Sequence, residues 1–382
     1  MEANYSIFEK DINSNLKEIT RVIKNSRFLI IGGAGTIGQA VTKEIFKYSP
    51  KLVHVIDISE NNLVELVRDL RSSFINIDID FKTFVIDYGS KYFDLFFESN
   101  KYDYVLNLSA MKHVRAERDV YSLLRMIDIN ILYPLKVLSM LKDEKFFCVS
   151  SDKASNPANM MGATKKIMEL ALFQKNKNII SSSRFANVLF SDGSLPFGFM
   201  NRFLKKQPLS APFDIRRFFI SSKEAGELCL LSTIFGNANE IYFPKISIHN
   251  LKSFKDLAIE FLLLKGYEPY ECENEEEAII HSSELIKQGK WPCYFFKSDT
   301  TGEKSIEEFY QDDDQILFNK YKNIGIIKNS ISNQFDIEYF INKLNYLKDS
   351  KNLIKSDLID LFKEIIPGFN HHEKNKFLDE RM

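Results

Sequence analysis

The side chains of this sequence that are best suited to acid–base chemistry lie together in one short stretch. Asp152 and Lys153 are neighbours, they directly follow Ser151, and a run of apolar residues before them predicts a buried strand. A carboxylic acid and an amine side by side can donate and accept protons at adjacent atoms of one ligand. Lys165 follows Met161 by four residues, so a helix would place both side chains on one face. A thioether cannot exchange a proton. The stretch therefore predicts an acid–base site in which the side chain of residue 161 takes no part in proton transfer.

A glycine-rich turn near the N-terminus predicts a dinucleotide site. The apolar run Arg27–Ile31 leads through this turn, at residues 32–38, into a helix-like segment. Glycines at these spacings allow a tight turn, close approach of the backbone to a pyrophosphate and close packing of the next helix, whose N-terminus favours phosphate. A second apolar strand ends in Asp57, placed to accept hydrogen bonds from the adenosine ribose. This acid favours NAD over NADP, although Arg68 and Arg71 on the next predicted helix weigh the other way.

The residues that we expect to contact the dinucleotide lie at or soon after the ends of successive strands. They are Gly32, Gly33, Gly35, Thr36, Ile37, Gly38, Asp57, Ser59, Asp87, Tyr88, Leu108, Ser109 and Ala110. An aspartate directly after the third strand suits an adenine contact, although a plain turn at the strand end explains Asp87 equally well. The set predicts that strand ends and turns build an NAD site at one edge of a sheet.

The order of the predicted elements indicates the fold. Apolar strands alternate with helix-like segments, as a doubly wound parallel sheet requires. The predicted strands are 27–31, 52–56, 82–86, 103–108, 146–150 and 179–185, and the predicted helices are 39–48, 61–74, 90–99, 120–142 and 161–176. We therefore expect the α/β class, with a Rossmann-type doubly wound parallel sheet and a smaller mixed substrate-binding region toward the C-terminus. The predicted divisions are a helical lead-in at 1–26, an NAD-binding domain with the catalytic loop and helix at 27–190, a substrate region interleaved with that core at 191–334, and helical decoration at 335–382.

The composition is that of a cytoplasmic enzyme. The 382 residues are 45% hydrophobic and 27% charged with a net charge of −1, so bulk electrostatics predicts neither nucleic acid nor an anionic membrane as a partner. No apolar run approaches the ~18 residues of a membrane span, and the first 25 residues lack the apolar centre of a signal peptide. Four scattered cysteines predict reduced thiols, and the acidic clusters show no metal-ligand spacing, so we expect no metal.

Five segments resemble one enzyme family, the nucleotide-sugar 4,6-dehydratases of bacterial polysaccharide biosynthesis, a branch of the extended short-chain dehydrogenase/reductase superfamily. The segments and the family patterns are Asn107–Val114 (A-x-x-K-H-V), Ser151–Lys165 (S/T-D-K-A-x-x-P-x-N-x-M-G-x-T-K), Arg184–Val188 (R-F-G-N-V), Asp214–Phe219 (D-x-T-R-F-F) and Gly302–Glu308 (G-E-K-x-x-E-E). Ala186 replaces the family's Gly, and Arg216 replaces its Thr. The superfamily's usual catalytic Tyr, four residues before Lys165, is Met161 here. This resembles the UDP-N-acetylglucosamine 4,6-dehydratases that retain configuration at C5.

The resemblance implies NAD as cofactor, UDP-N-acetylglucosamine as substrate and UDP-2-acetamido-2,6-dideoxy-α-D-xylo-hexos-4-ulose as product. In this reaction a hydride leaves C4, the C5 proton and the C6 hydroxyl leave as water, and the hydride returns to C6. We expect Asp152 to be the acid toward O6, Lys153 the base at C5, Ser151 a hydrogen-bond partner of O4, and Lys165 a ligand of the nicotinamide ribose. Burial beside Lys165 is expected to lower the pKa of Lys153. The acceptor of the O4 proton stays open, with Asp152, directly or through a water, as the first candidate.

The resemblance also implies substrate contacts and partners beyond this loop. The expected substrate-binding residues are Lys112, His113, Asn187, Arg217 and Glu303. A guanidinium pairs bidentately with phosphate, so Arg217 suits the diphosphate, and Arg216 is either structural or a second contact. Relatives of this kind assemble as dimers or larger oligomers, so we expect a homo-oligomer with its interface on the helices at 120–142 and 161–176.

Simpler explanations stay open for several of these residues. Asp152 and Lys153 could form a loop salt bridge, Met161 could merely fill the core, and Lys112–His113 could be a surface turn. A literal Y-x-x-x-K at Tyr339–Lys343 has no preceding strand or serine and is interpreted as coincidence, and His371–His372 suit a tail better than a metal site.

Two other functions compete with the dehydratase. An NAD-dependent nucleotide-sugar epimerase or reductase needs the glycines and Lys165, but no acid–base pair beside Ser151. A non-catalytic NAD-binding sensor or scaffold could arise by loss of the Tyr, although it would not need Asp152 and Lys153.

Overall fold

The protein, a computed structural model, is described here over residues 6–75, 79–174, 178–328, 335–371 and 376. The strands are β1 (Arg27–Ile31), β2 (Leu52–Asp57), β3 (Asp80–Val85), β4 (Tyr104–Asn107), β5 (Lys145–Val149), β6 (Ile180–Ser183), β7 (Asn187–Val188), β8 (Leu209–Pro212), β9 (Arg216–Arg217), β10 (Phe219–Ile220), β11 (Glu240–Pro244), β12 (Lys252–Ser253), β13 (Glu268–Glu271), β14 (Lys290–Phe296), β15 (Gln315–Leu317) and β16 (Ile324–Lys328). The α-helices are α1 (Glu9–Lys24), α2 (Thr36–Phe46), α3 (Glu60–Ser73), α4 (Lys91–Glu98), α5 (Val120–Ile127), α6 (Tyr133–Met140), α7 (Met160–Gln174), α8 (Leu195–Leu204), α9 (Ser222–Phe235), α10 (Phe254–Leu264), α11 (Glu275–Ile280), α12 (Ser282–Lys287), α13 (Ile337–Lys348) and α14 (Lys355–Ile365).

Among the described residues, a central sheet of nine strands forms the core of the fold. Its order is β15-β16-β11-β6-β5-β4-β1-β2-β3; the pairs from β3 to β11 are parallel, and β16 and β15 add antiparallel pairs at one edge. Continuous apolar runs such as Phe28–Ile31 form the inner strands because helices cover both faces of the sheet. The predicted α/β class and Rossmann-type doubly wound sheet are confirmed. The carboxyl ends of β1, β2, β4 and β5 meet at one edge, where such sheets bind ligands.

The strands between residues 191 and 328 belong to four sheets, two of which are short pairs, β12 with β9 and β10 with β7. Strands β13, β14 and β8 form a small parallel sheet, and its core packs the buried Trp291 with Phe261 and Leu209 from α10 and β8. Strands β11, β15 and β16 instead return to the central sheet. The chain therefore leaves the central sheet for the small sheet twice, at β8 and at β13–β14, and returns to the central sheet each time.

The two C-terminal helices cover α5 and α7. Phe340, Leu344 and Phe362 from these helices share one apolar cluster with Met126 and Ile167, so α7 is buried along most of its length. This chain's own C-terminal helices therefore cover part of helix 161–176, one of the two helices that we expect at an interface. The homo-oligomer itself stays a prediction.

Membrane insertion by a helix was tested on the described part of the chain. None of the helices there has both the length and the apolar character needed to cross a lipid bilayer.

Candidate active site

The glycine turn forms a tight cradle between β1 and α2. Gly32 has φ +72°, a backbone conformation that L side chains rarely adopt, and a Cβ there would lie 2.6 Å from the Ser109 backbone nitrogen. A Cβ on Gly38 would lie 2.3 Å from the carbonyl oxygen of Gly32. Helix α2 begins at Thr36 after Gly35, which provides no side-chain cap. The first N–H groups of α2 and a side-chain-free surface thus face the space in which a pyrophosphate is expected.

Asp57 closes the other side of this turn. Its carboxylate accepts hydrogen bonds from the backbone N–H of Ala34 at 3.0 Å and of Ser59 at 3.0 Å, so the acid is fixed at the end of β2. The Ser59 hydroxyl caps helix α3. Leu108 and Ser109 follow β4 directly beside Gly32. These predicted cofactor residues do come together at one sheet edge.

Asp87 and Tyr88, shortly after β3, form hydrogen bonds within the protein that the sequence did not predict. Asp87 accepts a hydrogen bond from the Arg125 guanidinium at 3.0 Å, and it also accepts from the backbone N–H of Gly89 at 2.9 Å. Tyr88 is buried, and its hydroxyl donates to the carbonyl oxygen of Ile129 at 2.6 Å. Burial strongly raises the pKa of this phenol. Tyr88 therefore supports the cofactor side of the sheet from within the core, while Asp87 keeps a half-exposed carboxylate at its edge.

The acid–base stretch forms a closed hydrogen-bond network directly after β5. The Ser151 hydroxyl donates to Asp152 Oδ1 at 2.8 Å. The same oxygen accepts from the Lys153 backbone N–H at 2.9 Å and from Lys153 Nζ at 3.3 Å. Asp152 is 5% exposed, and its own N–H donates to the carbonyl of Phe185 at 3.2 Å. A hydroxyl, a carboxylate and an ammonium are thus joined through one oxygen atom.

The expected lowering of the Lys153 pKa is wrong. Burial does lower it, but the charges of Asp152 and Glu307 outweigh burial and raise the pKa of Lys153 above its usual range. Lys153 Nζ lies 3.8 Å from a Glu307 carboxylate oxygen. Of the two site lysines it is Lys165 whose pKa is lowered, by burial, with Cys148 opposing. Lys165 Nζ donates to the carbonyl of Val149 at 3.0 Å, so it holds the end of β5.

Met161 lies buried at the start of α7, next to a contact between Glu117 and His371 that the sequence did not predict. Its backbone N–H donates to Glu117 at 2.9 Å, and the second oxygen of Glu117 lies 3.0 Å from His371 Nε2. Both Glu117 and the His371 ring are fully buried. The interpretation of His371 as a tail residue is therefore wrong, whereas His372 lies outside the described residues. The C-terminal segment thereby fixes the end of α7 that carries residue 161.

A buried ion pair supports the loop from below. Arg184 and Glu169 are 2% and 1% exposed and form two hydrogen bonds of 3.0 and 2.7 Å. Glu169 also accepts from the Ser150 hydroxyl at 2.6 Å, and Arg184 donates to the carbonyl of Phe309 at 2.6 Å. This pair therefore ties the end of β5, helix α7 and the segment around residue 309 into one block.

Arg217 and Glu303 meet each other on the far side of the loop. The Arg217 guanidinium is 3.5 Å from Glu303 and 3.8 Å from Glu307, and it donates to two backbone carbonyls, those of Arg216 and Ser305. Arg217 is buried, whereas Arg216 is exposed. The predicted diphosphate residue is thus engaged with this chain's own acceptors.

The other predicted substrate residues line the approach to the site. Lys112 and His113 follow β4, and a Cβ on Gly193 would lie 2.6 Å from the His113 ring. Desolvation lowers the pKa of both side chains, while Asp192 raises that of Lys112. Asn187 begins β7 and is half-buried. His113 therefore contacts the loop at 191–194, but the side chains of Lys112 and His113 are both exposed, so a surface turn stays open as an explanation for them.

Sequence reasoning named Glu303 in the G-E-K-x-x-E-E segment but missed Glu307. The motif itself pointed to this residue, because Glu307 is in the same segment, but the sequence does not tell the buried Glu307 from the exposed Glu308. The Y-x-x-x-K motif that we interpret as coincidence lies on α13. The side chains of Tyr339 and Lys343 are exposed there and contact Glu364.

Comparison with known proteins assigns the family. A family described as polysaccharide biosynthesis protein matches residues 28–329. The chain belongs to this family. An uncharacterized membrane protein, MJ1061, of Methanocaldococcus jannaschii is 30% identical over 340 residues, which are 82% of this chain and 98% of that protein.

Other relatives differ in length and in name. A UDP-N-acetylglucosamine 4,6-dehydratase (inverting) of Campylobacter jejuni is 28% identical over 239 residues, 59% of this chain and 68% of the relative. The capsular polysaccharide biosynthesis protein CapD of Staphylococcus aureus is 28% identical over 65% of this chain, but the chain spans only 42% of CapD. A UDP-glucose 4-epimerase of Rickettsia bellii is also 28% identical, over 57% of this chain and 65% of the epimerase.

Solved structures share the fold. Pen from Bacillus thuringiensis aligns with a TM-score of 0.65 at 24% identity, over 81% of this chain and 89% of Pen. The Bordetella bronchiseptica enzyme WbmF, in complex with NAD+ and UDP, aligns with a TM-score of 0.52 at 19% identity, over 64% of this chain and 78% of WbmF.

Proposed function

We propose that this member of the polysaccharide biosynthesis family is an NAD-dependent UDP-N-acetylglucosamine 4,6-dehydratase that retains configuration at C5. The observation that carries the proposal is the network of Ser151, Asp152 and Lys153 at the end of β5, beside a helix whose residue 161 cannot exchange a proton. An epimerase needs no acid–base pair at this place. The name of the Campylobacter relative supports the reaction class, although that relative is inverting.

The residues at the sheet edge fit NAD. A dinucleotide would be held by the cradle of Gly32 and Gly38, by the first turn of α2, by Asp57 at the ribose and by Lys165 at the nicotinamide end. WbmF, which shares the fold, is a complex with NAD+ and UDP. When bound, NAD accepts the C4 hydride and later returns it to C6.

Ser151 and Asp152 provide a path for the O4 proton without a Tyr. A substrate O4 hydroxyl that donates to Ser151 would pass its proton along the 2.8 Å hydrogen bond to Asp152. The protonated Asp152 is then the acid that releases the C6 hydroxyl as water. One carboxylate thus takes up and gives back one proton per turnover.

Lys153 is the base at C5. Its neutral amine removes the C5 proton, which the C4 ketone has made acidic, and the resulting ammonium returns it to the same face after the hydride reaches C6. Because the raised pKa keeps most of the amine protonated at rest, the C5 step should accelerate as the pH rises. One base on one face gives retention.

The nucleotide end of the substrate lies with the cationic residues. Lys112 would attract the diphosphate, the neutral His113 ring would offer it an N–H, and Arg217 would exchange Glu303 for phosphate oxygens, since a guanidinium pairs bidentately with phosphate. Asn187 and the released Glu303 would contact the sugar or the uridine.

Incubation of the purified protein with UDP-N-acetylglucosamine and no added reductant tests this function. A dehydratase gives a product that has lost one water, with no net NADH, and Asp152→Asn should form this product more slowly by on the order of 10²-fold or more. An epimerase gives no mass change, and a sensor or scaffold gives no new product; either result refutes the proposal.

A further inference from the structure

Glu307 connects two cations of the site from behind. One oxygen, Oε1, lies 3.8 Å from Lys153 Nζ and 3.8 Å from Arg217 Nη2. The Glu307 side chain is only 4% exposed, and that of Lys153 is 21% exposed. Lys153 can therefore reach the cleft, while Glu307 contacts it from the protein interior.

The backbone on both sides of Glu307 is fixed by contacts to the catalytic elements. The Asn159 side chain donates to the carbonyl of Gly302 at 3.1 Å, and the backbone N–H of Arg216 donates to the carbonyl of Ser305 at 3.0 Å. On the other side, Arg184 donates to Phe309. These contacts fix the backbone on both sides of Glu307 relative to α7, β9 and β6.

The charges around Glu307 come from the loop after β5, from β9 and from the segment of Glu307 itself. The charged groups that face its carboxylate are Lys153, Asp152, Arg217 and Lys304. Burial raises the pKa of Glu307, and Lys153 is the largest opposing influence. The electrostatic influence is mutual, because Glu307 in turn raises the pKa of Lys153. The two groups therefore titrate as a pair.

We infer that Glu307 is a positioning residue for the C5 step, which stabilises the ammonium form of Lys153 and fixes where that ammonium lies. The inference rests on the proposed function, in which Lys153 gains a proton from C5. Positive charge then develops on Nζ in a buried site, and a fixed carboxylate behind the base stabilises it, as in other base–carboxylate pairs. Loss of this carboxylate would make Lys153 a weaker base that is neutral over a wider pH range.

A direct measurement of the Lys153 amine needs no substrate. The rate of acetylation of Lys153 by acetic anhydride at pH 8, followed by peptide mass spectrometry, reports the neutral fraction. Because removal of this opposite charge lowers the pKa of Lys153 and so raises its neutral fraction at pH 8, Glu307→Gln should raise the rate about tenfold or more. In Glu307→Asp, which keeps the charge, the acetylation rate should stay closer to that of the wild type. In Glu308→Gln, a change at the exposed neighbour, the rate should equal that of the wild type. An unchanged rate in Glu307→Gln overturns the inference.

The second measurement follows exchange of the C5 proton of the keto-sugar product in D2O as a function of pH. In Glu307→Gln the rate should level off at a lower pH than in the wild type, because Lys153 loses its proton more easily. Its final level should be lower, on the order of tenfold, since a weaker base removes the proton more slowly. Loss by one constant factor at every pH indicates a merely structural residue and overturns the inference.

The two measurements separate the inference from the proposed function. If acetylation responds to Glu307→Gln but the wild type neither forms a keto sugar nor exchanges H5, the coupling of Lys153 to Glu307 is supported and the proposed reaction is overturned. If the wild type is an active dehydratase but the acetylation rate of Lys153 does not change in Glu307→Gln, the proposed reaction is supported and the inference about Glu307 is overturned.

Discussion

Replacing Glu169 with Gln tests the buried ion pair under the catalytic loop. The change keeps the shape of the side chain but leaves the Arg184 guanidinium, 2% exposed, without its partner carboxylate. Removing one partner of a buried pair costs about 3–5 kcal/mol of the free energy of unfolding. Arg184 would keep its bond to the carbonyl of Phe309 and a contact of 3.9 Å with Asp314, so we expect the lower end, about 3 kcal/mol.

Equilibrium unfolding of the wild type and of Glu169→Gln in guanidinium chloride at pH 7 measures this loss of stability. Glu260→Gln, which breaks an exposed pair with Lys252, is the matched control and should change the midpoint little. The double variant Arg184→Met with Glu169→Leu should recover much of the loss, because well-packed apolar residues can replace a buried pair. A loss below about 1 kcal/mol in Glu169→Gln would refute the reasoning.

The same pair predicts a dependence of stability on pH. Burial raises the pKa of Glu169, but Arg184 and the hydrogen bond from Ser150 outweigh burial and hold it below its ordinary value of 4.5. A carboxylate whose pKa is lowered on folding contributes stability above its unfolded pKa, and this contribution disappears as the pH falls through the folded pKa. The difference between the wild type and Glu169→Gln should therefore be constant near neutral pH and shrink below about pH 4.5.

Three further predictions concern chemistry and cofactor. Asp152→Asn should reduce turnover by on the order of 10²-fold or more, whereas Met161→Leu should stay within about tenfold because a thioether carries no proton; equal loss in both, with NAD binding intact, would contradict the assignment. Gly38→Ala should weaken NAD binding at least about tenfold by calorimetry, because its Cβ meets the Gly32 carbonyl, while Gly198→Ala, which meets nothing within 4 Å, should bind normally. In D2O the product should carry deuterium at C5 in the D-xylo configuration, with Lys153 returning the proton to one face; an L-arabino product from fresh enzyme would exclude retention.

Much of the fold could be predicted because its strands are buried on both faces. A parallel strand such as β2 is a continuous apolar run, and the predicted strand 52–56 matches Leu52–Asp57 to within one residue. The predicted helix 120–142 is instead interrupted by a π-type turn at Asp128–Leu132. There the Asn130 side chain bonds both the N–H and the carbonyl of Met111. A tertiary contact of this kind leaves no periodic signal.

The sequence predicted which residues form the site better than it predicted their pKa values. Ser151, Asp152 and Lys153 are adjacent in sequence, so their meeting is local. The pKa of Lys153 depends on Glu307, about 150 residues further along the chain, and only the folded structure brings the two together. The contact of His371 with Glu117 arises in the same way.

The most direct test of the central claim is the fate of the C4 hydrogen. The purified protein should be given UDP-N-acetylglucosamine deuterated at C4, with no added reductant, and the product analysed by NMR and mass spectrometry. A closed redox cycle on one NAD predicts that the deuterium appears at C6 of the 4-keto-6-deoxy sugar. Deuterium in free NADH or in the solvent, or retained at C4 of an epimer, would contradict the account.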